Sequence, residues 1–399
     1  MNSTIHRTRG SITTIASGIL LMLFLLPTAS RAANVTVGCP GGSGGTYPSI
    51  NAALAAIGQI GPHTITVTGT CAESVFLFNA RSILITAPAP GGATIVGFQD
   101  SDTFDIDLSQ DITLQNLEIR GDPASSVGAG VSIFTNSQAN ILSCNIHDNP
   151  DGGVSADSAS QVALRNTTLQ NSSNGDGLDV SNDSTADLVS MTIQNNAGVG
   201  ISLFGRSGVT IRRQNLIQNN AGGIGILAVD LSKVQIQTAD PALFTTIQGH
   251  NVGGIEVGDQ TMLRMGGGPH AIRGNGSACP TDPTCGGIFA TRNSTLRLTS
   301  GNISGNQGSG IAVEQLVDFG LNNVTISNNT GDGVHIQRIS TGEFITANTV
   351  TGNGGASVSC DTTSLVTGDL STFSNISCSQ IERPHGPPRP GIVKHPNAF

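Results

Sequence analysis

Short runs in which apolar and polar residues alternate recur along most of the chain, and each run follows a glycine. These glycines are Gly130, Gly153, Gly177, Gly200, Gly225, Gly254, Gly287, Gly310 and Gly333. They are separated by 23, 24, 23, 25, 29, 33, 23 and 23 residues. Alternation with a period of two predicts strands. A repeat of nearly constant length predicts a solenoid, in which each unit stacks on the one before it.

Each unit carries two further apolar segments. Counted from the glycine, apolar residues return after nine and eleven positions, as at Val162 and Leu164, and again after sixteen, as at Leu169. The pattern therefore predicts three short strands per unit, all with apolar side chains toward one interior. Units stacked about 4.8 Å apart would form three parallel sheets around continuous apolar columns. We predict an all-β solenoid of about nine or more coils.

Asparagine and a short helical segment complete this pattern. Asparagine recurs at the predicted corners, where its amide can bond the neighbouring coil. These residues are Asn149, Asn171, Asn195, Asn306 and Asn328. Near the N-terminus, "YPSINAALAAIG" predicts a short amphipathic helix with Ser49 as its N-cap and Gly58 at its end.

With this rhythm, these corners and this opening, residues 34–380 resemble the right-handed parallel β-helix proteins of the pectin-lyase-like superfamily. The resemblance implies a single-stranded right-handed β-helix whose first coil is covered by the helix, which would also hide a sheet edge. Residues 381–399 contain five prolines and no apolar rhythm. They are predicted to form an extended tail.

Residues 1–33 combine basic residues, an apolar run over 15–26 and small residues, which predicts a secretory signal peptide. The remainder has 15 Lys and Arg against 27 Asp and Glu, a net charge of −12. Such a surface disfavours nucleic acid as a partner. No later run approaches the roughly 20 apolar residues that cross a membrane. We therefore expect a protein that is exported to the periplasm, the cell surface or the medium, without a transmembrane anchor.

Seven cysteines in an exported chain predict disulfides and one remaining thiol. Local pairing predicts the disulfides Cys39–Cys71, Cys279–Cys285 and Cys360–Cys378. Cys144 is the remaining thiol, and its apolar surroundings predict that it is buried and unreactive.

The stretch "NSSNGDGLDV" resembles part of a catalytic motif. Polygalacturonases of the superfamily use Asn-x-Asp-Gly, which Asn174 and Asp176 match, together with a pair of aspartates one coil later. Here the next coil reads "NNAGVGI", and no carboxylate stands at that place. Asp before Gly also recurs at Asp151 and Asp332, and Asp-Gly is a common turn dipeptide. We therefore interpret Asp176 as a turn residue.

Residues two positions after each glycine are predicted to face outward on the first sheet, which the resemblance identifies as the face with the cleft. Asp179, Glu256 and His335 are the ligand-binding candidates in this column. Neighbouring candidates lie three coils apart, roughly 14 Å, whereas two glycosidase carboxylates need roughly 5 to 10 Å. Phe289 is the single aromatic residue that we expect on this face. The chain has no Trp and one Tyr, which counts against sugar-ring stacking.

Two further ligand-binding candidates, Arg264 and Arg297, stand ten positions after their glycines in consecutive coils, also outward. Two guanidinium groups this close repel each other unless an anion lies between them. That anion could be a carboxylate or sulfate of a glycan, or Asp318 in the next coil. Lyases of the superfamily use Arg or Lys to remove a proton beside a uronate carboxylate.

Two lengthened units, "TADPALFTTIQGHN" and "GGGPHAIRGNGSACPTDPTC", depart from the repeat, so we expect them to line a binding face. His250 and His270 in these units lack the spacing of a metal motif. We expect solvated loop residues there, with no metal and no other cofactor.

Two functions remain open. The first is a secreted β-helix that presents a repetitive polar surface to a glycan, such as an acidic polysaccharide, or to another cell-surface component, without catalysis. The second is a polysaccharide lyase or hydrolase with a non-standard site, which only the analogy of fold supports. We favour the first, and whether the protein is an enzyme stays open.

Overall fold

A computed structural model describes residues 32–279 and 281–382. The chain winds in successive coils, and most coils add one strand to each of three parallel sheets. Sheet 1 has 13 strands. Sheets 2 and 3 belong to one 26-stranded sheet, because the long strand Ile60–Ala72 pairs within both. The predicted all-β solenoid of nine or more coils is confirmed.

The strands of sheet 1 are Val75–Phe78, Phe104–Asp107, Ala129–Phe134, Gly152–Ala156, Asp176–Val180, Ile201–Leu203, Ile224–Ala228, Gly253–Val257, Gly286–Ala290, Ser309–Glu314, Val334–Gln337, Val358–Cys360 and Ile376–Ser377. The strands of sheet 2 are Ala33–Gly38, Ile60–Ala72, Arg81–Thr86, Gln110–Gln115, Gln138–Leu142, Gln161–Arg165, Thr185–Val189, Gly208–Arg212, Lys233–Gln237, Met262–Gly266, Thr295–Leu298, Asp318–Leu321, Thr341–Phe344, Leu365–Gly368 and Ile381–Glu382. Sheet 3 continues from Ile60–Ala72 with Ala93–Val96, Leu117–Arg120, Asn145–His147, Thr168–Gln170, Thr192–Gln194, Leu216–Gln218, Thr246–Gln248, Ala271–Arg273, Gly301–Ser304, Val324–Ser327 and Thr349–Thr351.

The core consists of apolar columns that run along the stack. In sheet 1, Leu178, Ile201 and Ile226 are paired in register and fully buried. Leu164 in sheet 2 and Leu169 in sheet 3 are also fully buried, as their positions after the glycine predict. Each coil therefore buries its apolar side chains against identical positions in its neighbours.

The predicted helix is present over Ile50–Ile57. The side chain of Ser49 accepts a hydrogen bond from the Ala52 amide at 3.0 Å, and Gly58 ends the helix with φ 82°. The carboxylate of Glu73 accepts the Ile50 amide at 2.7 Å, which places a negative charge at the helix N-terminus.

The segment around this helix covers the first edge of sheet 1. The Gln59 side chain donates to the carbonyl of Phe76 at 3.1 Å and accepts the amide of Phe78 at 2.9 Å. The Asn51 amide donates to the carbonyl of Ser74 at 2.8 Å. These side chains satisfy backbone groups that would otherwise offer a template for pairing with another chain.

Three disulfides join Cys39 to Cys71, Cys279 to Cys285 and Cys360 to Cys378, which are the pairs predicted from local spacing. Cys144 is free and buried. Burial raises the pKa of its thiol to about 11, so the thiol remains protonated and unreactive at neutral pH, as predicted.

Asparagine occupies two adjacent corner columns rather than one. In the first column, Asn171, Asn195 and Asn328 have left-handed backbone with φ of 58°, 56° and 56°. In the second, buried side-chain amides bond from coil to coil. The members of this buried ladder are Asn196, Asn220, Asn275, Asn306, Asn329 and Asn353. The five asparagines predicted at corners from the sequence are therefore divided between these two columns.

His250 takes the place of asparagine in the buried ladder. Its Nδ1 lies 3.0 Å from Asn275 Oδ1 and its Nε2 lies 3.2 Å from Asn220 Nδ2, so the neutral tautomer with a proton on Nδ1 completes both bonds. Burial lowers the pKa of His250 to about 4, although the bond to Asn275 opposes the shift. His270 is also buried, with Nε2 3.0 Å from the Gly266 carbonyl. The expectation of solvated loop histidines is therefore wrong, because both rings serve as hydrogen-bonding parts of the coil.

The structure describes only part of the predicted signal peptide and of the predicted C-terminal tail. The predicted signal peptide lies outside the described residues apart from its last two positions. Ile381–Glu382 form a strand beside Leu365–Gly368, and the rest of the predicted tail, residues 383–399, lies outside the described residues. Within the described ranges, no helix has the length and apolar character needed to span a membrane.

The apolar column makes a direct prediction for stability. Replacing fully buried Ile201 with Ala should lower the free energy of unfolding by roughly 2 to 5 kcal/mol, because the cavity lies inside a stack that relaxes only partially. Thr210→Ala, an outward change in sheet 2, should stay within about 0.5 kcal/mol. Denaturant unfolding measures both, and equal losses for the two variants would contradict the assigned inward and outward positions.

The buried His250 predicts a pH dependence of stability. Its folded-state pKa of about 4 lies below the value of about 6.5 expected in the unfolded chain, so the unfolded state binds more protons between these values. The free energy of unfolding should therefore fall as the pH falls through this window. His250→Asn restores the ladder residue without a titrating ring, so its stability should fall less. Chemical unfolding of both proteins across the window is the test, and parallel pH profiles would be inconsistent with a neutral His250.

Candidate functional site

Charge is distributed unevenly between the sheets. The strands of sheet 1 contain no Lys or Arg, and they carry six carboxylates: Asp105, Asp107, Asp176, Asp179, Glu256 and Glu314. The strands of sheet 2 carry six basic residues: Arg81, Arg165, Arg212, Lys233, Arg264 and Arg297. The five ligand-binding candidates from the sequence therefore lie on two different sheets.

The candidates on sheet 1 follow the predicted register but do not meet. Asp179 is paired in turn with Ser202, Leu227 and Glu256, so three coil spacings separate the two carboxylates. Three further spacings lead from Glu256 to His335. At about 4.8 Å per coil these separations are roughly 14 Å each. No pair of these three side chains can act on one bond.

Asp179 instead forms a cluster with residues that the sequence did not connect to it. Ser202 Oγ lies 2.6 Å from Asp176 Oδ2 and 2.9 Å from Asp179 Oδ1. The other oxygen of Asp176 accepts the amide of Val199 in the next coil at 2.8 Å. Asp176 therefore shapes the local backbone, as interpreted from the sequence, and it is also one of two carboxylates around a single hydroxyl.

The serine can donate to only one of the two carboxylates around it, because the Ser202 hydroxyl has a single hydrogen. Burial and the charge of Asp176 raise the pKa of Asp179, although the hydrogen bond from Ser202 opposes the shift. A protonated Asp179 would donate to Ser202 while Ser202 donates to Asp176, and this arrangement satisfies all three groups.

A related arrangement occurs near the end of the stack. Asp332 Oδ1 accepts the Ala356 amide at 2.7 Å, and Oδ2 accepts the Ser359 hydroxyl. His335 occupies the position of Asp179, with Nδ1 3.0 Å from Asp332 Oδ2 and 2.8 Å from Ser359 Oγ. Burial raises the pKa of Asp332, but the hydrogen bonds from His335, Ser359 and Ala356 outweigh it and hold the pKa below its usual value. His335 is thus fixed by its own coil and the next.

A third related site lies near the start of the stack. Asp102 Oδ1 accepts the Ala129 amide of the next coil at 2.7 Å. Asp105 follows three residues later, where the other two clusters have Asp179 and His335. Burial, reinforced by the charges of Asp102 and Asp107, raises the pKa of Asp105 to about 6. The repeated spacing of Asp followed three residues later by Asp or His is a sequence signal that could have located all three sites.

Two of these clusters border one groove on sheet 1, with a volume of about 460 Å³. Four carboxylates line it, and they belong to Asp102, Asp151, Asp176 and Asp179. Ser132, Ser155, Asn174 and Phe134 are also in its lining. This groove brings together the first two residues of the incomplete catalytic motif, Asn174 and Asp176, with Asp179.

Aromatic residues border the acidic part of sheet 1, contrary to expectation. Phe76 is paired with Asp105, and Asp107 lies between Phe78 and Phe134 in the adjacent column. Phe76 and Phe78 are 56% and 53% exposed. Phe289 is therefore not the single outward aromatic residue of this face. Phe76 and Phe78 were missed because their strand lacks the glycine that defined the repeat. Phe134 was missed because it lies four positions after Gly130, and only the position two after each glycine was considered.

Glu256 stands apart from the acidic groove. Burial raises the pKa of Glu256, and the charge of Arg292 opposes the shift. Its neighbours in the column are Leu227 and Phe289, so it has an apolar rather than a carboxylate environment along the stack.

Arg264 and Arg297 are paired in register in sheet 2, as predicted. The Arg297 guanidinium forms an ion pair with Asp318, the alternative that the sequence had left open. Among the described residues, Arg264 has no acidic partner within ion-pair distance. The pair therefore retains one uncompensated positive charge.

Metal ligands do not converge at these sites. Within residues 32–279 and 281–382, one group of three potential ligands lies close enough to hold an ion, and it consists of Cys39, Cys71 and Glu73. Both cysteines are in a disulfide, which leaves Glu73 as the only available ligand. This donor set does not fit a metal centre.

Several solved structures resemble this chain at low sequence identity. A search of curated proteins finds no significant match. Among solved structures, a double mutant of the periplasmic alginate epimerase AlgG is 13% identical over 81% of this chain and 78% of that one, with a TM-score of 0.46. The A-module of the mannuronan C-5 epimerase AlgE4 of Azotobacter vinelandii is 11% identical over 84% and 89%, with a TM-score of 0.43. The pectate lyase Pel9A is 12% identical over 88% and 78%, with a TM-score of 0.35.

The family comparison covers most of the chain. The model described as the right handed beta helix region matches residues 96–265 and 272–390. This agrees with the three in-register parallel sheets and with the predicted handedness. The chain belongs to the right-handed β-helix family.

Proposed function

We propose that this protein is exported and binds a glycan in the groove of sheet 1, without a requirement for catalysis. The observation that carries the proposal is the meeting of four carboxylates with outward phenylalanine rings on one face. Carboxylates accept hydrogen bonds from sugar hydroxyls. Exposed aromatic rings supply apolar faces against which sugar rings pack. The three disulfides support an exported location, because disulfides persist in oxidising compartments.

The charge of the groove narrows the class of glycan. Asp102, Asp151, Asp176 and Asp179 line it, and the strands of sheet 1 provide no Lys or Arg. Uronate or sulfate groups would be repelled there, whereas neutral sugars or protonated amino sugars would not. We therefore propose a neutral or amino-sugar polysaccharide for sheet 1.

For the acidic polysaccharide expected from the sequence, we propose the arginine pair of sheet 2 instead. A ligand across Arg264 and Arg297 remains a proposal, and it would compete with Asp318 for Arg297. Removing both arginines should leave the melting temperature nearly unchanged, since surface ion pairs contribute only about 0 to 1 kcal/mol.

The glycan proposal predicts a loss of binding when the rings of sheet 1 are removed. The double change Phe78→Ala and Phe134→Ala should weaken binding to the best neutral or amino-sugar polysaccharide by roughly tenfold or more, because each ring contributes a desolvated contact. Phe244→Ala, an exposed ring in the long loop outside sheet 1, is the control and should leave affinity unchanged. A glycan array followed by calorimetry measures this. The proposal would be contradicted if the wild-type protein bound uronate polymers tightly and the double variant bound them equally well.

A second candidate function, glycoside hydrolysis, is favoured by the geometry around Ser202. Asp176 Oδ2 and Asp179 Oδ1 both contact the same hydroxyl oxygen, so they lie no more than about 5.5 Å apart. Retaining glycosidases place two carboxyl groups about 5 to 5.5 Å apart, one of them protonated as the acid. The raised pKa of Asp179 suits that acid. Asp176 would then be the second carboxylate.

This candidate predicts that hydrolysis depends on Asp179. If a polysaccharide from the array yields new reducing ends, Asp179→Asn should lower the rate by roughly a hundredfold or more, the usual contribution of a positioned acid. Binding should change little, since the amide retains a hydrogen-bonding side chain of the same shape. Because only the protonated carboxyl can act as the acid, the wild-type rate should fall as the pH rises through the pKa of Asp179.

Asp183→Asn is the control for this experiment, since Asp183 lies at an exposed corner and pairs with Arg206. Undiminished hydrolysis by Asp179→Asn would place the chemistry elsewhere. A complete absence of reducing ends over the whole panel would leave the binding function as the better description.

A further inference from the structure

A second groove lies at the corner between sheets 2 and 3, away from sheet 1. Its volume is about 620 Å³. Three arginines line it together with small polar residues. Its lining includes Arg165, Asn166, Ser190, Arg212, Arg213 and Thr238. A volume of this size accommodates sugar rings rather than a single small ion.

The groove has an excess of positive charge. Among the described residues, Asp187 is the one carboxylate in an ion pair with these arginines, with Oδ2 3.3 Å from Arg165 and Oδ1 3.0 Å from Arg212. Arg213 has no acidic partner among the described residues. Three guanidinium groups against one carboxylate leave two positive charges, on a chain whose formal net charge is −9.

The charge excess differs from the pairing at the corner between sheets 1 and 2. There Arg206, Arg292 and Arg338 each have their own acidic partner. At this groove Arg165 and Arg212 share Asp187, which each of them could neutralise alone. Like charges gathered around one carboxylate repel each other, and an anion in the groove would relieve that repulsion.

The spacing of the arginines follows from the register of sheet 2. Arg165 is paired with Val189, and Val189 with Arg212, so two coil spacings separate the two arginines. That is roughly 10 Å along the stack. An extended chain with several anionic groups could follow this backbone separation, while the two guanidinium groups themselves converge on the two oxygens of Asp187.

One wall of the groove comes from a departure from the repeat. The residues Thr238 and Ala239 begin the first of the two lengthened segments, and both line the groove. Thr238 Oγ1 accepts the amide of Asp240 at 3.1 Å, which fixes the start of this segment. Because the other coils lack the insertion, the groove is a local site rather than a feature repeated along the stack.

We infer that this corner groove binds an anionic glycan, a chain bearing carboxylate or sulfate groups, through Arg165, Arg212 and Arg213. The planar guanidinium group donates two parallel hydrogen bonds to such groups. The site is separate from the proposed neutral-glycan groove on sheet 1 and from the pair Arg264 and Arg297.

The test compares two variants with the same change in net charge. The first replaces Arg165, Arg212 and Arg213 with Gln, and the second replaces Arg206, Arg292 and Arg338 with Gln at the opposite corner. The probes are a polygalacturonate oligosaccharide, a heparin oligosaccharide and a neutral dextran oligosaccharide, studied by calorimetry at two salt concentrations. The first variant should bind at least one anionic probe roughly a hundredfold more weakly, since several charge-assisted bonds are lost. The second should bind like the wild type.

A gain-of-binding variant separates recognition from a structural role. Asp187→Asn keeps the shape of the side chain and removes the carboxylate that pairs with Arg165 and Arg212, so it should bind the anionic probe several-fold more tightly. A purely structural ion-pair network would instead show weaker or unchanged binding. Circular dichroism melts confirm that each variant is folded.

The remaining outcomes decide the inference as follows. A preference for polygalacturonate or for heparin identifies carboxylate or sulfate as the recognised group. Equal loss in both triple variants would mean that only net charge matters, and the inference would fail. It would also fail if Arg264→Ala with Arg297→Ala abolished binding while the corner variant did not, or if neither anionic probe bound the wild-type protein.

Discussion

Stacking in register is the constraint on which the rest of this structure depends. Within the strands of the stack, a side chain has counterparts roughly 4.8 Å away in the coils above and below it. A residue type therefore stabilises a column only if its side chain packs well or hydrogen-bonds with the side chains directly above and below it, which are often of the same type. Branched apolar residues satisfy this condition inside, where Leu178, Ile201 and Ile226 stack. Amides satisfy it because each one donates to the next and accepts from the one before.

The amide columns show how polar groups meet the same condition. On the outside of sheet 3, Gln194, Gln218 and Gln248 each donate from Nε2 to the Oε1 of the preceding glutamine at 2.8 to 2.9 Å. Arg273 ends this column by donating to Gln248 at 3.0 Å. His250 enters the buried asparagine ladder for the same reason, since a neutral imidazole is both a donor and an acceptor. Its low pKa follows from a place in the ladder that a charged ring could not occupy.

Long columns of carboxylates or of guanidinium groups are unfavourable, because like charges a few ångströms apart repel. In sheet 1 two serines, Ser132 and Ser155, stand between Asp105 and Asp179. Where acidic groups do come together, around Ser202, burial and the charge of Asp176 raise the pKa of Asp179. Where arginines come together, as at Asp187, the repulsion is only partly relieved. At these positions, where like charges lie close together in the stack, a bound ligand of opposite charge or with hydrogen-bonding groups would stabilise the folded protein.

The sequence predicted well what depends on periodicity along one chain. The sheets, the inward positions, the Ser49 cap and the disulfide pairs all follow from spacing and local pairing. The first strands of sheet 1 were overlooked because Val75–Phe78 and Phe104–Asp107 have no leading glycine, and with them Phe76 and Asp105 were overlooked. Contacts between coils were also missed. Ser202 and Asp179 are 23 residues apart, and only the register that the folded stack imposes brings them within hydrogen-bond distance.

Net charge was the least informative of the sequence features, and the reason lies in the geometry of a solenoid. A compact sphere mixes its charges over one surface, whereas a stack with three faces can segregate them by column. Here the strands of sheet 1 carry carboxylates and no Lys or Arg, while those of sheet 2 carry six of the twelve Lys and Arg of the described residues, together with five carboxylates. With a screening length of about 10 Å at moderate salt, a ligand responds to the face it approaches rather than to the whole molecule. An acidic chain can therefore present a site for an anion at the Arg212 corner and a site that rejects anions around Asp179.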